Sequence, residues 1–206
     1  MKVAILGGTG DFGLALARRL AEAGDEVVIG SRDAARAADK ALEANAAAGA
    51  ANEDAVSEAD LVVLATKADA ALPTAAALAA AIGETPLLSV ASELHFSRSG
   101  VLPGADSRSL AERTQELMRG PVVAGLHSLA ASSLAQGRPE GDALVCGDDL
   151  HAKALALELA AKVVAGRALD AGPLASARAL EGLTAVIVNL NKRYKGHAGI
   201  HVTGLP

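Results

Sequence analysis

Aromatic side chains are almost missing from this sequence: Phe12, Phe96 and Tyr194 are the only ones in 206 residues, and tryptophan is absent. A planar ligand finds few rings to stack on here. Helices must instead pack closely through small side chains, in keeping with alanine at about a quarter of the chain. Cysteine is also scarce. The single thiol, Cys146, excludes an internal disulfide, and its apolar neighbours Ala143, Leu144 and Val145 predict a buried, inert group suited to a reducing cytosol. There is no excess of positive charge: 19 basic against 24 acidic residues leave a formal charge of −5, which offers nothing to nucleic acid or an anionic membrane. Also lacking is any charge-free apolar stretch of about 18 residues. The apolar N-terminus, Val3 to Leu6, runs into glycines rather than a cleavage site. These absences predict a cytoplasmic protein without a membrane or nucleic-acid partner.

What is present is an early switch between two periodicities. Lys2 to Leu6 is a short apolar run, and Gly13, Leu16, Ala17 and Leu20 then repeat at helical spacing until Gly24 stops them. Glu26 to Gly30 reads as a second strand and Asp33 onward as an alanine-rich helix capped by Ser31 or Asp33, completing a βαβ unit. Asn45 to Asn52 is small and polar, so a third strand there is weakly encoded. Leu61 to Ala65 and Pro86 to Val90 are continuous apolar runs between breakers, as central parallel strands are. Phe96 to Pro103 reads as a loop near the ligand, followed by a helix to Met118. Further strands are expected at Pro121 to Leu126, Ala143 to Gly147 and Arg167 to Asp170, with helices over Asp149 to Val164 and Leu174 to Tyr194. The stretch Leu183 to Leu190 is apolar nearly all round, which suits a helix buried against a partner subunit or the rest of the domain. At 51% hydrophobic, the chain has material for one full-sized domain with at most a small appendage.

Gly8-Thr9-Gly10-Asp11-Phe12-Gly13 is a G-x-G-x-x-G between a strand and a helix, the context that turns a weak motif into a dinucleotide-binding signature. Gly8 is expected to allow the tight turn, Gly10 to let a pyrophosphate approach the backbone, and Gly13 to let helix pack on strand. Asp11 is expected to cap the helix or bond within the loop, and is assigned no chemistry. An NAD-selective site carries an acidic residue at the end of the second strand to bond the adenine ribose. Gly30-Ser31-Arg32 stands there instead. A carboxylate would repel a 2′-phosphate, whereas Ser31 and Arg32 donate to it, and Arg36 adds a second cation on the same helical face if the helix begins early enough. NADP(H) is therefore the expected cofactor. A glycine turn that binds nothing and two merely solvated arginines are the bland alternatives.

Along most of its length the sequence resembles the NADPH-dependent reductases of the deazaflavin coenzyme F420, the F420:NADP oxidoreductases. The resemblance is carried by AILGGTGDFG at Ala4 to Gly13, VIGSRD at Val28 to Asp33, VCGDD at Val145 to Asp149 and LDAGPL at Leu169 to Leu174. It continues through Glu181, Leu183 and Thr184, NKRYK at Asn191 to Lys195, and the closing AGIHVTGL. It implies an α/β, Rossmann-type fold with a doubly wound, mostly parallel sheet and a small C-terminal helical part, a homodimer, and direct hydride exchange between C4 of the nicotinamide and C5 of the deazaflavin. Such a reaction needs no nucleophile or metal, only the positioning of two ring faces and the exclusion of water. Residues 1–126 would form the NADP-binding domain, and residues 127–206 would complete the sheet and acceptor site and end in a dimerisation helix. Thr9, Gly10, Asp11, Phe12, Ser31, Arg32 and Arg36 would hold NADP together with Gly8, Gly13 and Thr66, with Arg36 standing where a lysine is often found. His127 and Ala131 match the loop facing the nicotinamide and deazaflavin, with His127 as an orienting group. Two loops depart from the family pattern: Thr66-Lys67-Ala68-Asp69 replaces a proline and aromatic after the fourth strand, and Val90-Ala91-Ser92-Glu93 lacks the usual proline after the fifth. These departures leave open a flavin or small carbonyl compound as acceptor, or a non-catalytic NADP(H) sensor.

His197 and His201 share an H-x-x-x-H spacing, but the segment reads as strand or loop and no third ligand is near, so no metal is expected. Tyr194-Lys195 lacks the Tyr-x-x-x-Lys spacing of short-chain dehydrogenases, since position 198 is alanine. Lys192, Arg193 and Lys195 complement the dipole at a helix end.

Overall fold

Residues 1–205 are described by a computed structural model. The first half alternates short apolar strands with alanine-rich helices: β1 (Lys2–Leu6), α1 (Asp11–Glu22), β2 (Glu26–Ser31), α2 (Ala34–Ala44), β3 (Ala48–Ala51), the single turn α3 (Asn52–Ala55), β4 (Leu61–Leu64), α4 (Ala68–Ile82) and β5 (Leu87–Ser89). A hairpin of β6 (Leu94–Ser97) and β7 (Gly100–Pro103) follows. The chain continues through α5 (Leu110–Gln115), β8 (Val122–Gly125), α6 (Ala131–Gln136), β9 (Ala143–Gly147), α7 (Leu150–Val163), β10 (Ala168–Asp170) and α8 (Ala177–Tyr194).

Eight strands form one sheet in the order β3-β2-β1-β4-β5-β8-β9-β10. The first six are mutually parallel, β9 joins β8 antiparallel, and β10 runs parallel to β9. This is the doubly wound, mostly parallel sheet expected from the sequence. Strand residues alternate between two cores. Ile5, Ile29, Val63 and Leu88 pack on one face against Leu16 and Leu20 of α1 and Leu159 of α7. Leu6, Leu64 and Leu87 pack on the other face against Leu78 of α4 and Leu110 of α5. Burial on both faces explains why the central strands read as unbroken apolar runs.

Several boundaries differ from expectation for identifiable reasons. The segment 96–103 forms most of a hairpin rather than a loop: Leu94 pairs with Pro103 and Phe96 with Val101, around a turn in which the Ser97 hydroxyl donates to the Gly100 carbonyl. Its outward side chains gave no clean alternation. The helix expected to reach Met118 ends at Gln115, whose side chain is drawn away to accept from the Val122 N–H and donate to the Gly120 carbonyl. The short α6 was not foreseen; its Leu134 is fully buried where it packs on α1. The final helix opens as a 3-10 turn over Leu174–Ser176 before α8 begins. The weakly encoded third strand does form, at the sheet edge.

Candidate active site

Parallel register puts the ends of β1, β2 and β4 side by side, since Leu6 pairs with both Gly30 and Leu64. Beyond Leu6 the chain turns at Gly7, where φ is +81° and an added Cβ would lie 2.7 Å from the Ala65 carbonyl oxygen. The tight-turn role expected of Gly8 therefore belongs to Gly7. Gly8 is instead packed beneath the loop, where a side chain would collide with Ile29 and the Ile5 carbonyl. At Gly13 a Cβ would sit 2.6 Å from the Gly7 oxygen, so its absence lets α1 rest on the glycine loop itself, not on a strand as expected. Gly10 is exposed and half-buried Thr9 precedes it. Only the Gly7 oxygen, at 3.4 Å, lies near a Cβ added at Gly10, which leaves the mouth open above the unpaired N–H groups of the first turn of α1. Asp11 does not cap that helix. Gly10 is the N-cap and no side chain bonds the helix start, because Asp11 already has helical backbone and stands one position too late to cap.

At the end of β2, Asp33 rather than Ser31 caps α2, accepting the Arg36 N–H at 3.1 Å. The Ser31 hydroxyl accepts the Asp33 N–H at 3.2 Å. Since α2 starts at Ala34, Arg32 precedes the helix, and the shared helical face expected of Arg32 and Arg36 is not realised. Both arginines are exposed beside the glycine loop, and neither is paired with a carboxylate among the described residues.

A cleft of about 210 Å³ opens where β4, β5 and β8 end, lined among others by Phe12, Thr66, Lys67, Ser92, His127 and Thr184. Leu126, fully buried, holds the left-handed region at φ +64°, uncommon for a branched side chain, and this turn brings His127 to the cleft wall. His127 is 5% exposed, and neither ring nitrogen makes a well-formed hydrogen bond, although the Ala91 backbone lies close enough to act on the ring. Burial pulls its pKa from 6.5 to about 4, against a smaller opposing effect of the Ala91 backbone, so the imidazole is neutral at physiological pH. The Thr66 hydroxyl is likewise buried without a partner. Ala131 opens α6 and is not among the residues lining the cleft.

Sequence reasoning missed a hydroxyl relay that fixes this wall. Thr184 of α8 donates to the His127 carbonyl at 2.9 Å, so the contact of 2.7 Å between Ser92 and Thr184 is one in which Ser92 donates. The one signal was a lone threonine within the apolar stretch 183–188 of that helix. A turn earlier on α8, buried Glu181 accepts the N–H groups of Leu110 and Ala111 at 3.0 and 3.1 Å, bracing α8 against the start of α5. Burial raises its carboxyl from 4.5 to about 7, outweighing those two bonds. His197 bonds Ser132 at 3.1 Å and His201 lies 3.6 Å from Asp142, both beside a separate cavity of about 700 Å³. Asp142 is fully buried; the Arg167 guanidinium and the backbone N–H groups of Val202 and Arg167 hold its carboxyl far below the usual range. Cys146 is buried and its thiol is pushed up to about 12, chiefly by burial. No helix among the described residues is long and apolar enough to cross a membrane.

The free helix N–H groups, the two unpaired arginines and a cleft with orphaned polar atoms together fit an extended phosphorylated ligand ending in a polar ring. Known proteins agree. The family model for coenzyme F420-dependent NADP oxidoreductases matches residues 2–93. The F420-dependent NADP reductase of Methanothermobacter thermautotrophicus is 37% identical over 100% of this chain and 96% of its own length. That of Methanocaldococcus jannaschii is 32% identical over 100% and 99%. Among solved structures, a proposed F420-dependent NADP reductase of Arthrobacter sp. fb24 superposes with a TM-score of 0.86 at 28% identity, covering 99% of this chain and 100% of the other.

Proposed function

The chain belongs to the family of F420-dependent NADP reductases, and from that premise we propose that its cleft is where a nicotinamide and a deazaflavin meet. The protein is an NADP-dependent oxidoreductase that exchanges hydride between NADPH and coenzyme F420. The observation carrying the site assignment is the pair of buried, unpartnered polar groups, Thr66 and His127, in a cleft at the strand ends beside the glycine loop.

In this assignment Thr9, Asp11 and Phe12, between Gly8 and Gly13, hold the pyrophosphate through backbone N–H groups, while Gly10, whose own N–H donates to the Gly7 carbonyl at 3.0 Å, contributes the open approach. Ser31, Arg32 and Arg36 hold the 2′-phosphate. Thr66 lines the nicotinamide end, with Ala131 outside the cleft lining at the start of α6. NADPH supplies the hydride. His127, neutral, offers one donor and one acceptor nitrogen to ring substituents, and Thr184 keeps its backbone in place. Residues 1–126 act as the dinucleotide half, and residues 127–206 complete the sheet and the acceptor side. The outer face of α8, with exposed Val186, Leu190 and Tyr194, and the neighbouring hairpin, with exposed Phe96 and Leu102, supports a homodimer built on these elements. A lone unpaired cysteine fits work in the reducing cytoplasm.

Anaerobic mixing of the protein with NADPH and oxidised F420 tests the activity. Loss of deazaflavin absorbance in proportion to protein concentration is expected, and confirmed NADPH binding without turnover would overturn it.

A further inference from the structure

We propose that Lys67 determines which hydride acceptors this cleft uses, by presenting positive charge to the acceptor ring as it becomes negative. The proposal rests on the reading of the cleft as the hydride-exchange site.

Lys67 is the only residue lining the cleft that carries a formal charge, for His127 is held neutral. No carboxylate pairs with Lys67 among the described residues; Glu93, which follows the lining residue Ser92 in sequence, is engaged by Arg113 at 3.1 Å. The main chain fixes its position at the rim. It is the N-cap of α4, directly after Thr66, and its carbonyl accepts the Ala70 N–H at 3.0 Å. The arginines suited to phosphate stand elsewhere, at the end of β2, so this lysine is not needed there.

Transfer breaks the C4–H bond of the nicotinamide and forms a C–H bond on the acceptor, with the electron pair moving alongside the hydrogen. The donor ring is left as a pyridinium and the acceptor gains one negative charge, which a proton from water neutralises afterwards. Lys67 is exposed at the rim, free to swing its ammonium over a ring seated in the cleft, where it would stabilise that developing charge. It does so best for a planar conjugated heterocycle that spreads its charge towards the rim. A simple carbonyl compound concentrates charge on one oxygen and calls for a proton donor, which neutral His127 supplies poorly.

Lys67→Met and Lys67→Arg test this. Calorimetry with NADPH and with reduced F420 is combined with steady-state reduction of F420. The methionine variant should bind reduced F420 about tenfold more weakly and lose about tenfold in kcat. Its affinity for NADPH should stay within about twofold, and arginine should restore most of both losses. Weaker NADPH binding with reduced-F420 affinity intact would overturn the assignment, as would wild-type behaviour of the methionine variant or failure of arginine to rescue. A wild-type protein that does not reduce F420 would bring down the reading of function as well.

Discussion

Arg32 is exposed at the end of β2 with no carboxylate partner among the described residues, and it stands where an NAD-selective protein places an acid. Arg32→Glu replaces a charge-assisted bond with repulsion, so NADPH affinity should fall by about thirtyfold or more while NADH affinity is unchanged or improved. Titration calorimetry with both nucleotides reads this, and equal effects on the two would remove the 2′-phosphate role. Thr184 is the second informative residue. Thr184→Val keeps the shape but strands the buried His127 carbonyl and the Ser92 hydroxyl, a loss of about 1–2 kcal/mol in urea unfolding. Because the same carbonyl belongs to the cleft wall, kcat should fall with it, and an unchanged kcat would make the relay purely structural. At this scale the sequence was partly legible. The glycine spacing revealed the loop but not that Gly7 takes the positive φ, because that depends on the Ala65 carbonyl brought up by β4, far away in sequence. Asp11 looked like a cap because spacing alone does not show which residue leaves helical geometry.

At the scale of elements, α8 holds the cleft through two buried titratable neighbours that respond to pH in opposite senses. Glu181 has its folded pKa raised from 4.5 to about 7, so the stability it contributes is complete below 4.5 and is lost as pH rises through about 7. His127 has its pKa lowered from 6.5 to about 4, so its contribution is complete above 6.5 and is lost as pH falls through about 4. The two slopes offset one another between pH 4.5 and 6.5. Glu181→Gln should therefore leave a protein whose urea midpoint rises with pH across that interval, and His127→Asn one whose midpoint falls. Parallel curves for the two variants would contradict the burial account. Central strands and the long helices were readable because burial on two faces writes continuous apolar runs and alanine repeats. The hairpin at Leu94–Pro103 and the short α6 were not, since each depends on contacts with α8 and α1 rather than on its own periodicity.

At the scale of the whole molecule, the outer face of α8 leaves several large hydrophobic side chains uncovered among the described residues. Val186 is 52% and Tyr194 72% exposed, and Phe96 of the hairpin lies under Lys192, whose ammonium is 5.0 Å from the ring centroid. For the homodimer proposed above, Val186→Glu combined with Leu190→Glu should turn a dimeric mass in sedimentation equilibrium into that of a folded monomer; a dimeric mass retained by the variant would place the interface elsewhere, and a monomeric parent protein would remove the proposal. The apolar run at Leu183–Leu190 announced such a face, but only the fold separates buried Ala185 and Ile187 from exposed Val186 and Leu190. The central claim is that this one cleft brings two rings into contact for direct hydride exchange. The measurement that tests it most directly is reduction of F420 by NADPH deuterated at C4, with each prochiral label used in turn and the product examined by mass spectrometry. Deuterium should appear on the reduced deazaflavin from one label and not the other. Absence of deuterium from the reduced deazaflavin with either label, one of them being released to solvent instead, would contradict direct transfer, and with it the account of the site.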